Sequence, residues 1–197
     1  MVASILYLQR RDIKTMEKVP DAYGIHKLVY SLFPGDKRNF LFLDKGGRYG
    51  ERKILIISKD QPVPNTIGEI QSKFIPESFL SYVVYAFEVK LNPIKRLNST
   101  GKAVPILGEE NLKAWFLSRQ ASWGFSVELD RLEVYDTGIQ KFQRGGTNIL
   151  HNTATFKGIL TVEDKGLFQK SFNKGMGRGK AFGFGLLQLY PIKMEKE

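Results

Sequence analysis

Phe40-Leu41-Phe42-Leu43 and Ile54-Leu55-Ile56-Ile57 are two short apolar runs, and Lys45-Gly46-Gly47-Arg48-Tyr49-Gly50 lies between them. Each run is too short for a stable helix, and the glycine pair is a turn signal, so the spacing predicts a β-hairpin. Ahead of it, residues 2–9 are mostly apolar and read as a strand. Residues 21–33 read as a helix, with Pro20-Asp21 as the start signal, Asp21 as N-cap and Pro34-Gly35 as the stop. Behind the hairpin, Pro62 to Pro76 is loop-like with a short helix near Ile67–Phe74, and the aromatic and β-branched stretch Tyr82 to Leu91 reads as a strand. The resulting order, β-α-β-β-(α)-β, is the ferredoxin-like arrangement.

The polar stretch from Asn92-Pro93-Ile94-Lys95-Arg96 to Thr100-Gly101-Lys102 reads as a linker. A second α-β-β-α-β series follows: a helix at about 109–121, strands at about 124–135 and 153–162, a helix at about 163–173 and a strand at about 182–190. The predicted fold is therefore α+β, two tandem ferredoxin-like (RRM-like) domains, with residues 1–91 and 109–197 as domains and 92–108 as linker.

Hydrophobic residues make up 42% of the 197-residue chain, enough for packed cores. Lys and Arg total 30 against 20 acidic residues, a net charge of +10 that favours a polyanionic partner through counterion release. There is no cysteine and only two histidines, His26 and His151, so thiolate metal sites, iron–sulfur clusters and disulfides are excluded, and neither a metal nor another cofactor is expected. No run approaches the roughly 18 apolar residues of a membrane span. The apolar N-terminus precedes Gln9-Arg10-Arg11, the reverse of a secretory signal, so a cytoplasmic protein is expected.

On the helix at 21–33, Ile25, Leu28, Val29 and Leu32 form one core stripe, while Tyr23, His26 and Tyr30 fall on another flank. Histidine both takes and gives protons near neutral pH. RNA carries its own nucleophile, the 2′-hydroxyl, so an RNase needs only a base, an acid and cations beside the phosphate. His26 and Tyr23 fit the first two, and Lys27 or the C-terminal bases the third. The helix alone favours ordinary half-buried surface residues over a site. His151, in Asn148-Ile149-Leu150-His151-Asn152 just before a strand, suits a turn or an RNA contact, and a His26–His151 pair stays open.

The segment Gly175-Met176-Gly177-Arg178-Gly179-Lys180-Ala181-Phe182-Gly183-Phe184-Gly185 holds five glycines in eleven residues. Walker A fails, because Lys174 stands where its first glycine belongs and Ala181 replaces the Ser or Thr, and no Gly-x-Gly-x-x-Gly register fits. Lys180-Ala181-Phe182-Gly183-Phe184-Gly185 partly matches the aromatic strand motif of RNA-recognition modules, where Lys180, Phe182 and Phe184 would share one face. Core packing is the preferred reading for both phenylalanines. The backbone, Arg178 and Lys180 remain RNA ligands.

Three segments together resemble the CasE family of CRISPR-associated endoribonucleases: Asp21-Ala22-Tyr23-Gly24-Ile25-His26-Lys27-Leu28, the Asn92–Lys102 stretch, and the glycine-rich segment extended through Leu186-Leu187. The resemblance implies two ferredoxin-like domains and processing of a repeat transcript into guide RNAs. Cutting would fall at the base of a repeat hairpin, without metal, leaving a 5′-hydroxyl and a 2′,3′-cyclic or 3′-phosphate. It also implies product retention, membership in Cascade, a role in antiviral defence and, for the isolated chain, a monomer. By motif, His26 is the principal catalytic residue and Tyr23 its partner. RNA contacts fall to Lys27, to Lys95, Arg96 and Lys102, and to Gly175, Gly177, Arg178, Gly179 and Lys180. Lys141 and Arg144 stand for the family's basic hairpin. The rival readings are a non-catalytic tandem RRM-like RNA-binding protein, and a structural subunit, which would leave the +10 charge unexplained.

Overall fold

The computed structural model describes residues 1–15, 21–35, 37–47, 51–64 and 67–193; Pro20 and the turn residues Arg48-Tyr49-Gly50 lie outside the described residues. The chain divides into two compact units, each built on an antiparallel sheet. The first comprises Met1–Pro76, Lys141–Ile149 and Lys180–Gly183, and the second Glu77–Gln140, Leu150–Gly179 and Phe184–Glu197.

In the first unit, β1 (Val2–Leu8) is followed by the short α1 (Arg10–Thr15), α2 (Ala22–Ser31), β2 (Phe40–Asp44), β3 (Arg52–Ser58) and β4 (Glu69–Phe74). The sheet order is β2-β3-β1-β4, the ferredoxin-like order, in antiparallel register throughout. Alternation in β1 buries Val2, Ser4, Leu6 and Leu8 and turns the intervening residues outward. Leu6, Leu8, Ile54, Ile56, Phe40 and Phe42 from the strands meet Ile25, Leu28, Val29 and Leu32 from α2 to make the core. The helix stripe expected from spacing is thus the packed one.

The stretch at 67–74, expected as a short helix, is the edge strand β4 paired with β1, with Ile5 opposite Gln71. Glu69-Ile70-Gln71-Ser72-Lys73-Phe74 has no helical apolar stripe to bury, and β1 offers it a row of unpaired backbone groups. Gly68, at φ +82°, makes the entry turn; a Cβ there would sit 2.6 Å from the Tyr7 carbonyl oxygen.

The second unit runs β5 (Val84–Leu91), β6 (Ile94–Arg96), β7 (Ala103–Pro105), α3 (Glu109–Leu117), α4 (Gln120–Trp123), β8 (Phe125–Val127), β9 (Glu133–Arg144), β10 (Thr147–Val162), α5 (Lys165–Lys174) and β11 (Leu187–Pro191). Its sheet order is β11-β5-β10-β8, the same ferredoxin-like order, with β9 paired to β10 as an added hairpin. Tyr82 to Leu91, expected to close the first domain, supplies the first strand of this sheet: Val89 lies opposite both Phe156 and Leu187. Its alternation buries Tyr85, Phe87, Val89 and Leu91 among aromatic residues that include Phe116, Phe125, Phe156 and Phe168.

The stretch expected as a linker forms the β6–β7 hairpin, tied down by Asn152, whose Nδ2 donates to the carbonyls of Pro93 (3.0 Å) and Ile106 (2.9 Å). The strand expected at 124–135 is interrupted by a 3-10 turn at Leu129–Arg131. The strand expected at 182–190 begins only at Leu187, because Gly183 (φ +87°) and Gly185 (φ +83°) cannot lie in extended backbone.

Candidate active site

Asp21 starts α2 as the sequence suggests: its Oδ1 accepts from the backbone N–H of Tyr23 (3.0 Å) and Gly24 (2.8 Å). This fixes the rotation of the helix while Ile25, Leu28 and Val29 bury its core face. The flank left over carries Tyr23, His26 and Tyr30, all half-buried. The His26 ring lies 5.6 Å from Tyr23, centroid to centroid and within 12° of parallel, and 4.2 Å from Tyr30. Lys27 is exposed, with Nζ 4.7 Å from the centre of the Tyr23 ring. An imidazole, two phenols and an ammonium therefore share one patch.

The same patch includes the turn Lys180–Gly183. His26 Nδ1 lies 2.8 Å from the Ala181 carbonyl oxygen, and the Phe182 ring stacks on the imidazole at 5.1 Å and 26°. Gly183 lets this turn lie against β2, since a Cβ there would come 3.3 Å from Phe42 Cε2. The β9–β10 hairpin tip joins the patch through Phe142, which is buried and packs on Phe182 at 4.4 Å. Lys141 beside it is exposed, Lys180 is half-buried, and the side chain of Arg144 lies outside the described residues.

The remaining expected RNA ligands lie in the second unit. Lys95, Arg96 and Lys102 are exposed on the β6–β7 hairpin, where Arg96 Nη1 donates to the Gly101 carbonyl (3.1 Å). Gly175 ends α5, and Arg178 is exposed between Gly177 and Gly179. The expected common strand face of Lys180, Phe182 and Phe184 does not form: residues 180–182 are a 3-10 turn. Phe184 is buried in the second unit, its ring against the edge of His151 (5.4 Å, 89°). His151 itself lies within β10, not before a strand, and burial lowers its pKa. Among the described residues, no group of three or more His, Asp or Glu is placed to hold a metal, and no helix is long and apolar enough to cross a membrane.

Sequence reading missed the Ala181 carbonyl, the Phe182–His26 stack and the Phe142 support. Nothing local signals them, because His26 and Ala181 are 155 positions apart. Tyr30 was visible on the flank of His26 but not as its nearest ring.

The sequence profile of the CRISPR associated protein family matches residues 1–191. The CRISPR system Cascade subunit CasE of Escherichia coli K12 is 28% identical over 188 residues, 87% of this chain and 93% of that protein. A structure of the CRISPR endoribonuclease Cse3 bound to a 19-nucleotide RNA matches with a TM-score of 0.82 at 20% identity, over 97% of this chain and all (100%) of that one. The crystal structure of the CRISPR-associated protein Cas6e from Escherichia coli K-12 matches with a TM-score of 0.76 at 25% identity, over 98% and 100% of the two chains. With two sheets of ferredoxin-like order and Tyr-x-x-His on α2 outside its core stripe, the chain belongs to the CasE family of CRISPR-associated proteins.

Proposed function

We propose that this chain is a metal-independent endoribonuclease that cuts CRISPR repeat transcripts at the base of a repeat hairpin, keeps the resulting guide RNA and works within Cascade. The observation that carries the reading is the pairing of His26 with Tyr23 on α2, outside the buried stripe Ile25, Leu28 and Val29. Family membership, a Cascade subunit and an RNA-bound endoribonuclease among its relatives, and the +10 charge support it.

In this mechanism the 2′-hydroxyl of the nucleotide before the cut attacks the adjacent phosphorus. Its proton leaves to a base, and the departing 5′-oxygen receives one from an acid, so no external nucleophile is consumed. The products are a 2′,3′-cyclic phosphate and a 5′-hydroxyl. His26 and Tyr23 are the proton-transfer groups, and Lys27 offsets the charge that builds on the phosphate. Lys95, Arg96, Lys102, Lys141, Arg144 and the Gly175–Lys180 segment hold the RNA.

The test is a labelled repeat hairpin carrying one 2′-deoxy nucleotide at the cut site, incubated in excess chelator beside the all-ribose hairpin. The all-ribose RNA is expected to be cleaved and the deoxy RNA bound intact. Cleavage of the deoxy RNA, or loss of cleavage in chelator with recovery on added magnesium, would overturn the mechanism.

A further inference from the structure

We infer that the Lys180–Gly183 turn is a positioning element that holds His26 as its Nδ1–H tautomer, so that Nε2 is the nitrogen that exchanges protons with the RNA. The inference rests on the reading of His26 as a proton-transfer residue and adds which atom acts and what fixes it.

A carbonyl oxygen only accepts hydrogen bonds, so at 2.8 Å from Ala181 the Nδ1 atom must carry hydrogen, whether the ring is neutral or charged. In the neutral ring the lone pair then resides on Nε2. Free histidine favours the opposite tautomer, so the turn works against the intrinsic preference of the side chain. Ring orientation is set by aromatic neighbours: Phe182 at 5.1 Å, Tyr30 at 4.2 Å and Tyr23 at 5.6 Å.

Phe182 is in turn backed by Phe142 at 4.4 Å, and the turn lies against β2, where Gly183 takes φ +87° and a Cβ would crowd the Phe42 ring. Ala181 and Phe182 touch His26 rather than any reacting atom. The sequence motif that resembles a base-stacking strand thus serves, at these two positions, to aim an imidazole. The logic is that of a metal-binding or catalytic histidine whose second nitrogen is held by a backbone carbonyl.

The test is nitrogen-15 NMR of histidine-labelled full-length protein at a pH of about 8.5, above the ordinary imidazole range. Only two histidines are present, and His151→Phe assigns the signals. The expected spectrum for His26 shows a protonated, pyrrole-type Nδ1 and an unprotonated, pyridine-type Nε2. A protonated Nε2, or two averaged shifts, would overturn the inference.

Phe182→Leu is then expected to average those shifts and to lower single-turnover cleavage by about tenfold or more with RNA affinity changed less than about threefold, and Phe182→Tyr to restore both. Unchanged cleavage in Phe182→Leu would also overturn it. If the Nδ1–H spectrum is found but His26→Ala cleaves normally, the catalytic reading fails while the tautomer assignment stands. If His26→Ala is inactive and Nε2 is protonated, the reverse holds.

Discussion

Gly185→Ala isolates what the glycine-rich segment does for the fold from what it does for RNA. Gly185 sits at φ +83°, where an L-residue in the left-handed region costs about 1–2 kcal/mol. A Cβ there would lie 2.2 Å from the Met176 carbonyl oxygen and 3.0 Å from the Met176 nitrogen. Both are backbone atoms, so no rotamer relieves the clash. The two strands of chain must separate by about an ångström to restore van der Waals distance. That separation strains the Met176 N–H to Gly185 carbonyl bond (2.9 Å) and the Gly185 N–H to Lys90 carbonyl bond (2.8 Å).

Losing one such bond adds about 1 kcal/mol, more if a buried donor is left unpaired, for a total loss of about 2–4 kcal/mol. In urea the midpoint is expected to fall by about 1–2 M at unchanged slope. RNA affinity of the folded protein is expected to stay near wild type. A stability loss below about 0.5 kcal/mol, the range of neutral surface substitutions, would rule out the backbone clash at this position.

His151 gives a pH prediction. Burial disfavours its charged form, so the unfolded chain, titrating near the ordinary value of about 6.5, takes up its proton first as the solution is acidified. The stability His151 leaves intact above that value is lost as pH falls through the folded-state value, and His151→Phe should show a shallower drop in Tm between about pH 7 and 5. An identical drop in both proteins would contradict the assignment. Arg178 is exposed, and Arg178→Ala is expected to weaken RNA binding and reduce the slope of log K against log salt by about 0.7–0.9. An unchanged slope would place Arg178 off the RNA.

The first strand and α2 were legible because each is a local pattern. The apolar run at 2–9 and the stripe Ile25, Leu28, Val29, Leu32 are set by neighbouring residues alone, and they form β1 and the packed face of α2. The aromatic and β-branched composition of Tyr82 to Leu91 marked a strand but not its sheet, and the strand pairs with β10 and β11. The edge strand at Glu69–Phe74 escaped notice because an exposed edge needs little apolar periodicity. At the site, the flank of α2 outside the core stripe was visible from angular spacing. Its partners were not: Ala181 contributes a backbone atom, which no side-chain motif encodes, and it meets His26, with Phe182 beside it, only after the chain has folded back across 155 positions.

The proposed proton transfer by His26 is tested by single-turnover cleavage and equilibrium binding of a repeat hairpin, with His26→Ala in parallel with the wild type. The expected cleavage rate is lower by about 100-fold or more, the scale of a general acid or base, with affinity changed less than about threefold. Cleavage at a rate near wild type would contradict it.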